Sequence, residues 1–212
     1  MKTLAVLSRK GGAGKTTVAL HLAVAAQRRT VILDADPQQS AADWWRSRQA
    51  ETPELIEGGV GQLAEIKQAA AADGVELLVV DTRPSAEDDA LEAARAADLV
   101  LIVVKPTILD LRAVAATVDT VTAAGAKAVF VINQAPAGRG GFEASIVQEA
   151  VEALAGYGVP VCPVILHNRA SYHAALIDGR AVIEAEPDGK AAKEIGALWG
   201  YVESKLWPSA RR

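Results

Sequence analysis

Short runs of consecutive apolar residues alternate along the chain with longer stretches in which apolar positions recur every three or four residues. The runs predict strands over residues 3–8, 30–34, 77–81, 99–104, 128–133 and 161–166. All but the last are dominated by Val, Leu and Ile with little polar alternation, the pattern of strands buried on both faces. The longer stretches predict helices over 15–27, 39–49, 61–72, 87–96, 109–124 and 143–155, with a final helix over 188–206. Strand followed by helix, repeated this often, implies an α/β fold: a mostly parallel twisted sheet flanked by helices on both faces. No repeat, low-complexity linker or break in composition divides the chain, so residues 1–212 are read as a single domain. In such folds ligands gather at the carboxyl ends of the strands. The polar residues of interest fall there: residues 10–17 follow the first strand, Asp34 and Asp36 end the second, Asp81 ends the third and Asn133 the fifth.

Composition narrows the class. Half of the residues are hydrophobic but only 4% are aromatic, so Ala, Val, Leu and Ile supply the core. No apolar run approaches the ~18 residues of a membrane span. The apolar start runs directly into a glycine loop, where a secretory leader would need a cleavage site, and is read as a strand. The lone Cys162, between Val161 and Pro163, is read as a buried structural thiol, which points to a cytoplasmic protein. The net charge of −4 is unevenly spread. Residues 1–50 carry eight Lys/Arg against three acids, residues 51–162 seven against seventeen, and residues 163–212 seven against six. That balance argues against a constitutive nucleic-acid coat and leaves room for a local basic patch.

The stretch Ser8-Arg9-Lys10-Gly11-Gly12-Ala13-Gly14-Lys15-Thr16-Thr17 nearly matches the phosphate loop G-x-x-x-x-G-K-[ST]. Arg9 stands at its first glycine position, and Lys10 adds a second cation. Gly11, Gly12 and Gly14 let the backbone wrap a polyphosphate closely enough for its N–H groups to converge on the oxygens. Lys15 opens the following helix and can reach the β- and γ-phosphates, and Thr16 offers a hydroxyl to Mg²⁺. Mg²⁺ prefers oxygen and uses one or two carboxylates, for which Asp81, Asp34 and Asp36 are candidates. Asp34 or Asp36 could instead cap the next helix.

Four segments, KGGAGKTT from Lys10, DADPQ from Asp34, VVDTRPS from Val79 and KPTILDL from Lys105, together resemble the ParA/MinD family of deviant Walker A P-loop NTPases. The late segments Asn168-Arg169-Ala170-Ser171-Tyr172 and Asp178-Gly179-Arg180 resemble the small ParA-type partition ATPases. The resemblance implies an ATPase converting ATP to ADP and phosphate, weak alone and stimulated by a partner, with ATP and Mg²⁺ as cofactors. It implies that Lys10, Gly11, Gly12, Ala13, Gly14, Lys15, Thr16, Thr17 and Asn133 bind the nucleotide, Asn133 near the adenine. Lys10 would reach across an ATP-dependent nucleotide-sandwich homodimer to the other subunit's phosphates. Asp36 would be the hydrolysis-linked aspartate, with Thr16, Asp36 and Asp81 supporting Mg²⁺, the carboxylates through water. The family's role is positioning: the dimer binds DNA without sequence preference, associates with the nucleoid, and is released by a centromere-binding or cargo-adaptor protein. Plasmid or chromosome partition is the leading expectation. Two departures are Arg83 after Asp81, where relatives often have proline, and Leu166-His167-Asn168, where many have proline and arginine. The chain starts at its first strand, so no amino-terminal DNA-binding extension is expected.

Candidate DNA contacts are Arg169, Lys190, Lys193 and Lys205, with Arg211 and Arg212 at the end, although Glu186, Asp188, Glu194 and Glu203 dilute them. An ordinary solvated helix is an equal reading. A MinD-like membrane positioner would need an amphipathic tail. Trp199, Val202, Leu206 and Trp207 have the spacing, but Pro208 stops the helix, and packing onto the domain is the competing reading. An iron–sulfur reductase would need more cysteines than Cys162, and a metabolic amide ligase would need a substrate pocket that the sequence does not identify. Of Trp44 and Trp45, at least one is expected in the core. His21, His167 and His173 lack a metal-ligand pattern. Glu87-Asp88-Asp89 marks a helix start, and residues 137–141 form a connector or a loop closing over the nucleotide.

Overall fold

The structure, a computed structural model, describes residues 1–84, 86–138 and 143–208. Six parallel strands form one sheet among these residues: β1 Lys2–Leu7, β2 Thr30–Ala35, β3 Glu54–Glu57, β4 Leu77–Thr82, β5 Leu99–Val104 and β6 Ala128–Ile132. Their order is β3-β2-β4-β1-β5-β6, which puts β1 in the interior between β4 and β5. Helices α1 Lys15–Ala25, α2 Ser40–Ser47, α3 Leu63–Ala72, α4 Glu87–Ala96 and α5 Ile108–Ala124 follow successive strands. Then come α6 Ser145–Ala155, α7 Ala170–Ile177, α8 Val182–Ala185 and α9 Lys190–Leu206.

The continuous apolar runs are explained by a core on each side of the sheet. On one face Leu4, Val6, Leu77, Val79, Leu101 and Val131 pack with α1, α2, α7, α8 and α9. On the other, Leu7, Leu78, Val80, Ile102, Phe130 and Ile132 pack with α3 to α6. Adjacent residues of one strand thus enter opposite cores. Phe130 is fully buried in the second; truncation of such a side chain to alanine costs about 3–5 kcal/mol.

Three elements differ from the pattern-based expectation. Residues 161–166 are not a sixth full strand. They run beside β6 but form no ladder with it: Val161 bridges Phe130, the Leu166 N–H donates to the Ile132 carbonyl at 3.0 Å, and a further bridge, Ala135 with His167, lies beyond both segments. Pro160 precedes the segment and Pro163 lies within it, and neither has an N–H to extend a ladder. The sixth strand is instead β3, four residues at the sheet edge, whose Leu55 and Ile56 reach one core each. Helices α7 and α8 lie in a stretch where no helix was predicted; only Tyr172, Ala175 and Val182 of these two helices are buried, too few for a clear helical period. The final helix is as expected, and Trp199, Val202 and Leu206 are buried. Trp207 packs edge-on against Trp199 and carries the Arg28 guanidinium 4.5 Å above its ring. The spacing that suggested a membrane-facing tail therefore serves core packing. No helix among the described residues is long and apolar enough to cross a membrane. Cys162 is buried, as expected, and burial pushes its thiol pKa up.

Candidate functional site

Strand register gathers the polar residues. Val6 of β1 is level with Asp81 of β4, and Asp81 is level with Asp34 of β2. Beyond that row the chain leaves β1 into the glycine loop. Gly12 and Gly14 adopt positive φ, 74° and 92°, which places the turn where a side chain would be strained. Gly14 has a second constraint: a Cβ there would lie 2.3 Å from the Asn133 amide nitrogen. The α1 amino terminus has no side-chain cap and no acid in its first turn. Its free N–H groups and the helix dipole together favour an anion.

Lys15, at the first position of α1, is 6% exposed. Burial lowers its pKa, and the nearby Asp81 and Asp36 carboxylates oppose that shift. Asp81 is fully buried, and neither of its oxygens has a hydrogen-bond partner of good geometry among the described residues. Desolvation pushes its pKa up to about 7, and the Asp34 and Asp36 charges add to the rise. The Thr16 hydroxyl and Lys15 hold it down in part, the hydroxyl close by but not aligned to satisfy either oxygen.

The two aspartates after β2 separate into different roles. Asp34, 4% exposed, accepts the backbone N–H groups of Asp36 at 3.1 Å, Ala41 at 3.1 Å and Ala42 at 3.0 Å, so it caps α2. Burial raises its pKa, and those three N–H groups restrain the rise. Among the described residues the Asp36 side chain accepts the exposed Gln38 N–H alone, at 3.0 Å, and it opens onto the same cavity as Lys15 and Thr16. That cavity, of about 630 Å³, runs from Gly12 and Gly14 across α1 to Trp44 of α2 and His173 and Leu176 of α7. Its volume suits a nucleotide-sized ligand. Trp44 is buried and donates to the Arg180 carbonyl at 3.3 Å, while Trp45 is 39% exposed. Arg48, just past α2, binds Glu184 at 2.7 Å and the Gly179 carbonyl at 2.9 Å, pinning α2 to the α7–α8 turn.

The oxygen donors in and just beneath the cavity fit Mg²⁺. An orphaned buried carboxylate (Asp81), a hydroxyl (Thr16) and an accessible carboxylate (Asp36) are hard oxygen donors. Among the described residues no group of three or more His, Cys, Asp or Glu side chains is placed to hold a metal ion.

Lys10 stands apart from this group: its ammonium is 2.9 Å from Asp110 of α5. Asn133 is 5% exposed, and its amide donates to the Ala13 carbonyl at 2.8 Å. The neighbouring Gln134, at φ 54°, donates to the Gly12 carbonyl at 3.2 Å. The end of β6 thus braces the loop, a role for Asn133 and Gln134 that the sequence did not signal. Asp110 and Gln134 were not singled out from sequence, only the KPTILDL segment hinting at the first, and His173, which lines the cavity, was read as a histidine without a metal-ligand pattern.

The four candidate DNA residues do not form one surface. Arg169 is held by Glu194 of α9, 3.0 Å from Nε, and Glu194 also receives His167 Nδ1 and the Tyr172 hydroxyl, both at 2.8 Å. Lys190 and Lys193 are exposed on the first turn of α9. Lys205 is exposed on its last turn, its ammonium 5.2 Å from the Tyr201 ring centre. It lies twelve residues beyond Lys193, about 18 Å along the helix axis. Arg211 and Arg212 lie outside the described residues, as does most of the 137–141 loop.

Comparison with known proteins places this geometry. Residues 4–182 match the CobQ/CobB/MinD/ParA nucleotide binding domain. The chain is 32% identical to the maintenance of carboxysome distribution protein A of Gloeobacter kilaueensis, over 97% of this chain and 94% of that protein. It is also 32% identical to the protein of the same name from Halothiobacillus neapolitanus, over 94% of this chain and 95% of that one. The fold resembles the apo McdA structure from Cyanothece with a TM-score of 0.78 at 16% identity, over 95% of this chain and 99% of that chain. The parallel sheet, the glycine loop braced from β6 and the match over most of its length show that the chain belongs to the ParA/MinD family of nucleotide-binding ATPases.

Proposed function

We propose that the protein is an ATP-driven positioning ATPase, which binds and hydrolyses ATP with Mg²⁺, dimerises around the nucleotide and distributes a large intracellular cargo. The carrying observation is that Lys15, Thr16, Asp36 and the uncapped α1 amino terminus meet at one cavity, with the buried Asp81 carboxylate close to Lys15 and Thr16. The relatives named for carboxysome distribution favour a protein assembly over a plasmid or chromosome as cargo.

In this reading the loop N–H groups, the α1 terminus and Lys15 bind and orient the polyphosphate. Phosphoryl transfer is catalysed mainly by positioning and charge neutralisation, which these groups supply. Thr16, Asp36 and Asp81 would hold Mg²⁺, which when bound neutralises phosphate charge and helps to hold the γ-phosphate for in-line attack. Asp36, not committed to helix capping, is the residue left to orient the attacking water. Asn133 and Gln134 keep the loop carbonyls turned away from the phosphate by donating to them. Lys10, once free of Asp110, serves the partner subunit's phosphates.

The track is proposed to be DNA bound without sequence preference, through Lys190 and Lys193 duplicated in the dimer. The test is binding to an unrelated duplex with ATP, ADP or no nucleotide, across a salt series. Salt-sensitive binding with ATP alone supports DNA as the track. A confirmed dimer that binds DNA in no state moves the track to a membrane or another scaffold.

A further inference from the structure

Lys105 lies at the carboxyl end of β5, within the KPTILDL segment, and no role has so far been attached to it. Its backbone is fixed: the Lys105 carbonyl accepts the Thr107 N–H at 2.8 Å, and the Val104 carbonyl accepts the Asn133 N–H at 2.8 Å. Its ammonium stands against the phosphate loop, 3.9 Å from where a Cβ on Gly12 would sit. The Gly12 carbonyl is held by Gln134, so the loop limb facing Lys105 is braced.

What sets Lys105 apart from the other loop lysines is its lack of an acid. Lys10 has Asp110, and Lys15 has Asp81 and Asp36. Lys105 is half-buried, yet among the described residues it makes no ion pair and no side-chain hydrogen bond. Asp110, the acid closest to it in sequence, is already engaged by Lys10 and by the Thr107 hydroxyl. A partly desolvated ammonium beside an uncapped helix terminus raises the local positive potential, which costs free energy until an anion arrives. A lysine on a flexible stem is suited to meet a phosphate oxygen as a point charge.

We propose that Lys105 is a third cation of the phosphate site and contacts the terminal phosphate of a bound nucleoside triphosphate. The assignment rests on the nucleotide-binding reading above. Lys15 reaches the β- and γ-phosphates from the α1 terminus, and Lys105 stands against Gly12, earlier in the same loop. A contact with the terminal phosphate makes Lys105 a group that separates triphosphate from diphosphate.

The experiment measures equilibrium affinity for ATP and for ADP, each with Mg²⁺, in wild type, Lys105→Met, Lys105→Gln, Lys105→Arg and Lys15→Ala. Loss of one charge-assisted phosphate contact weakens ATP binding by about tenfold in Lys105→Met and Lys105→Gln, with ADP changed by less than about threefold. Lys105→Arg retains most of the ATP affinity. The melting temperature without nucleotide stays at the wild-type value in the Gln variant, which excludes a folding defect. Unchanged ATP affinity in both neutral variants, or equal losses for ATP and ADP, would overturn the assignment. Failure of the nucleotide reading itself looks different: wild type binds neither nucleotide, or Lys15→Ala binds both as well as wild type.

Discussion

Lys10 Nζ is 2.9 Å from Asp110 Oδ2, a contact between the glycine loop and the first turn of α5. The carboxylate is 6% exposed and the lysine 38%, and Thr107 also donates its hydroxyl to Asp110. Lys10 is therefore tied to its own chain, whereas the family role needs it to reach a partner's phosphates. The pair is partly solvated and stabilises the fold by about 1 kcal/mol or less. Asp110→Asn should therefore leave the melting temperature nearly unchanged while releasing Lys10. Sedimentation with ATP should show a larger dimer fraction for Asp110→Asn at equal protein concentration. A dimer fraction equal to or below wild type would refute a restraint of Lys10 by Asp110.

Asp34 and Asp36 are two residues apart, yet their substitutions should separate cleanly. Asp34→Ala removes two backbone hydrogen bonds at the start of α2 and a third from Asp36, and should lower unfolding free energy by about 1–2 kcal/mol. Asp36→Ala removes one exposed contact and should change stability by less than about 0.5 kcal/mol. Urea unfolding of both variants decides the assignment; similar losses for the two would contradict it.

The strands that build the site were legible because they are buried on both faces, so β1, β4 and β5 read as uninterrupted apolar runs. GKTT after such a run pointed to a glycine loop, which the structure places after β1, and DADPQ and the terminal Asp81 pointed to carboxylates that the strand register brings near it. β3 was missed because Glu-Leu-Ile-Glu has only two apolar residues and is held as a strand by its register with β2. Residues 161–166 were misread because apolar content does not reveal the two prolines' missing donors. Spacing along the chain also hides contacts closed by the fold. Lys10 and Asp110 are separated by 100 residues, and the Asn133 amide reaches Ala13 across 120.

His21 supplies a pH signature of stability. It is fully buried on α1, with Nδ1 accepting the Val182 N–H at 3.2 Å and Nε2 donating to the Tyr172 carbonyl at 3.3 Å. Both nitrogens are satisfied only in the neutral ring, and burial lowers the pKa from 6.5 to about 4. The unfolded state therefore binds the extra proton between those values, and stability falls as pH drops from about 6.5 towards 4. At ~1.36 kcal/mol per pKa unit, His21 accounts for a loss of about 3 kcal/mol across that window. His21→Gln should flatten this part of the curve in urea unfolding from pH 4 to 7. A slope equal to that of wild type would assign the acid sensitivity to other groups.

Lys15 is the cation buried within the loop, and no second lysine replaces its position. Lys15→Ala should reduce ATP affinity by at least about a hundredfold while the protein remains folded, since a lost buried ion contact to phosphate costs about 3 kcal/mol. Titration with a fluorescent ATP analogue, alongside circular dichroism, measures both. Retained affinity would place the nucleotide elsewhere.

The most direct test of an ATPase built on this cavity compares ATP binding and phosphate release, with Mg²⁺, in wild type and Asp36→Ala. Wild type should bind ATP and release phosphate; Asp36→Ala should bind within about threefold of wild type and release phosphate at least about tenfold more slowly. A wild-type protein that neither binds nor hydrolyses ATP, or an Asp36→Ala protein that turns over at the wild-type rate, would contradict it.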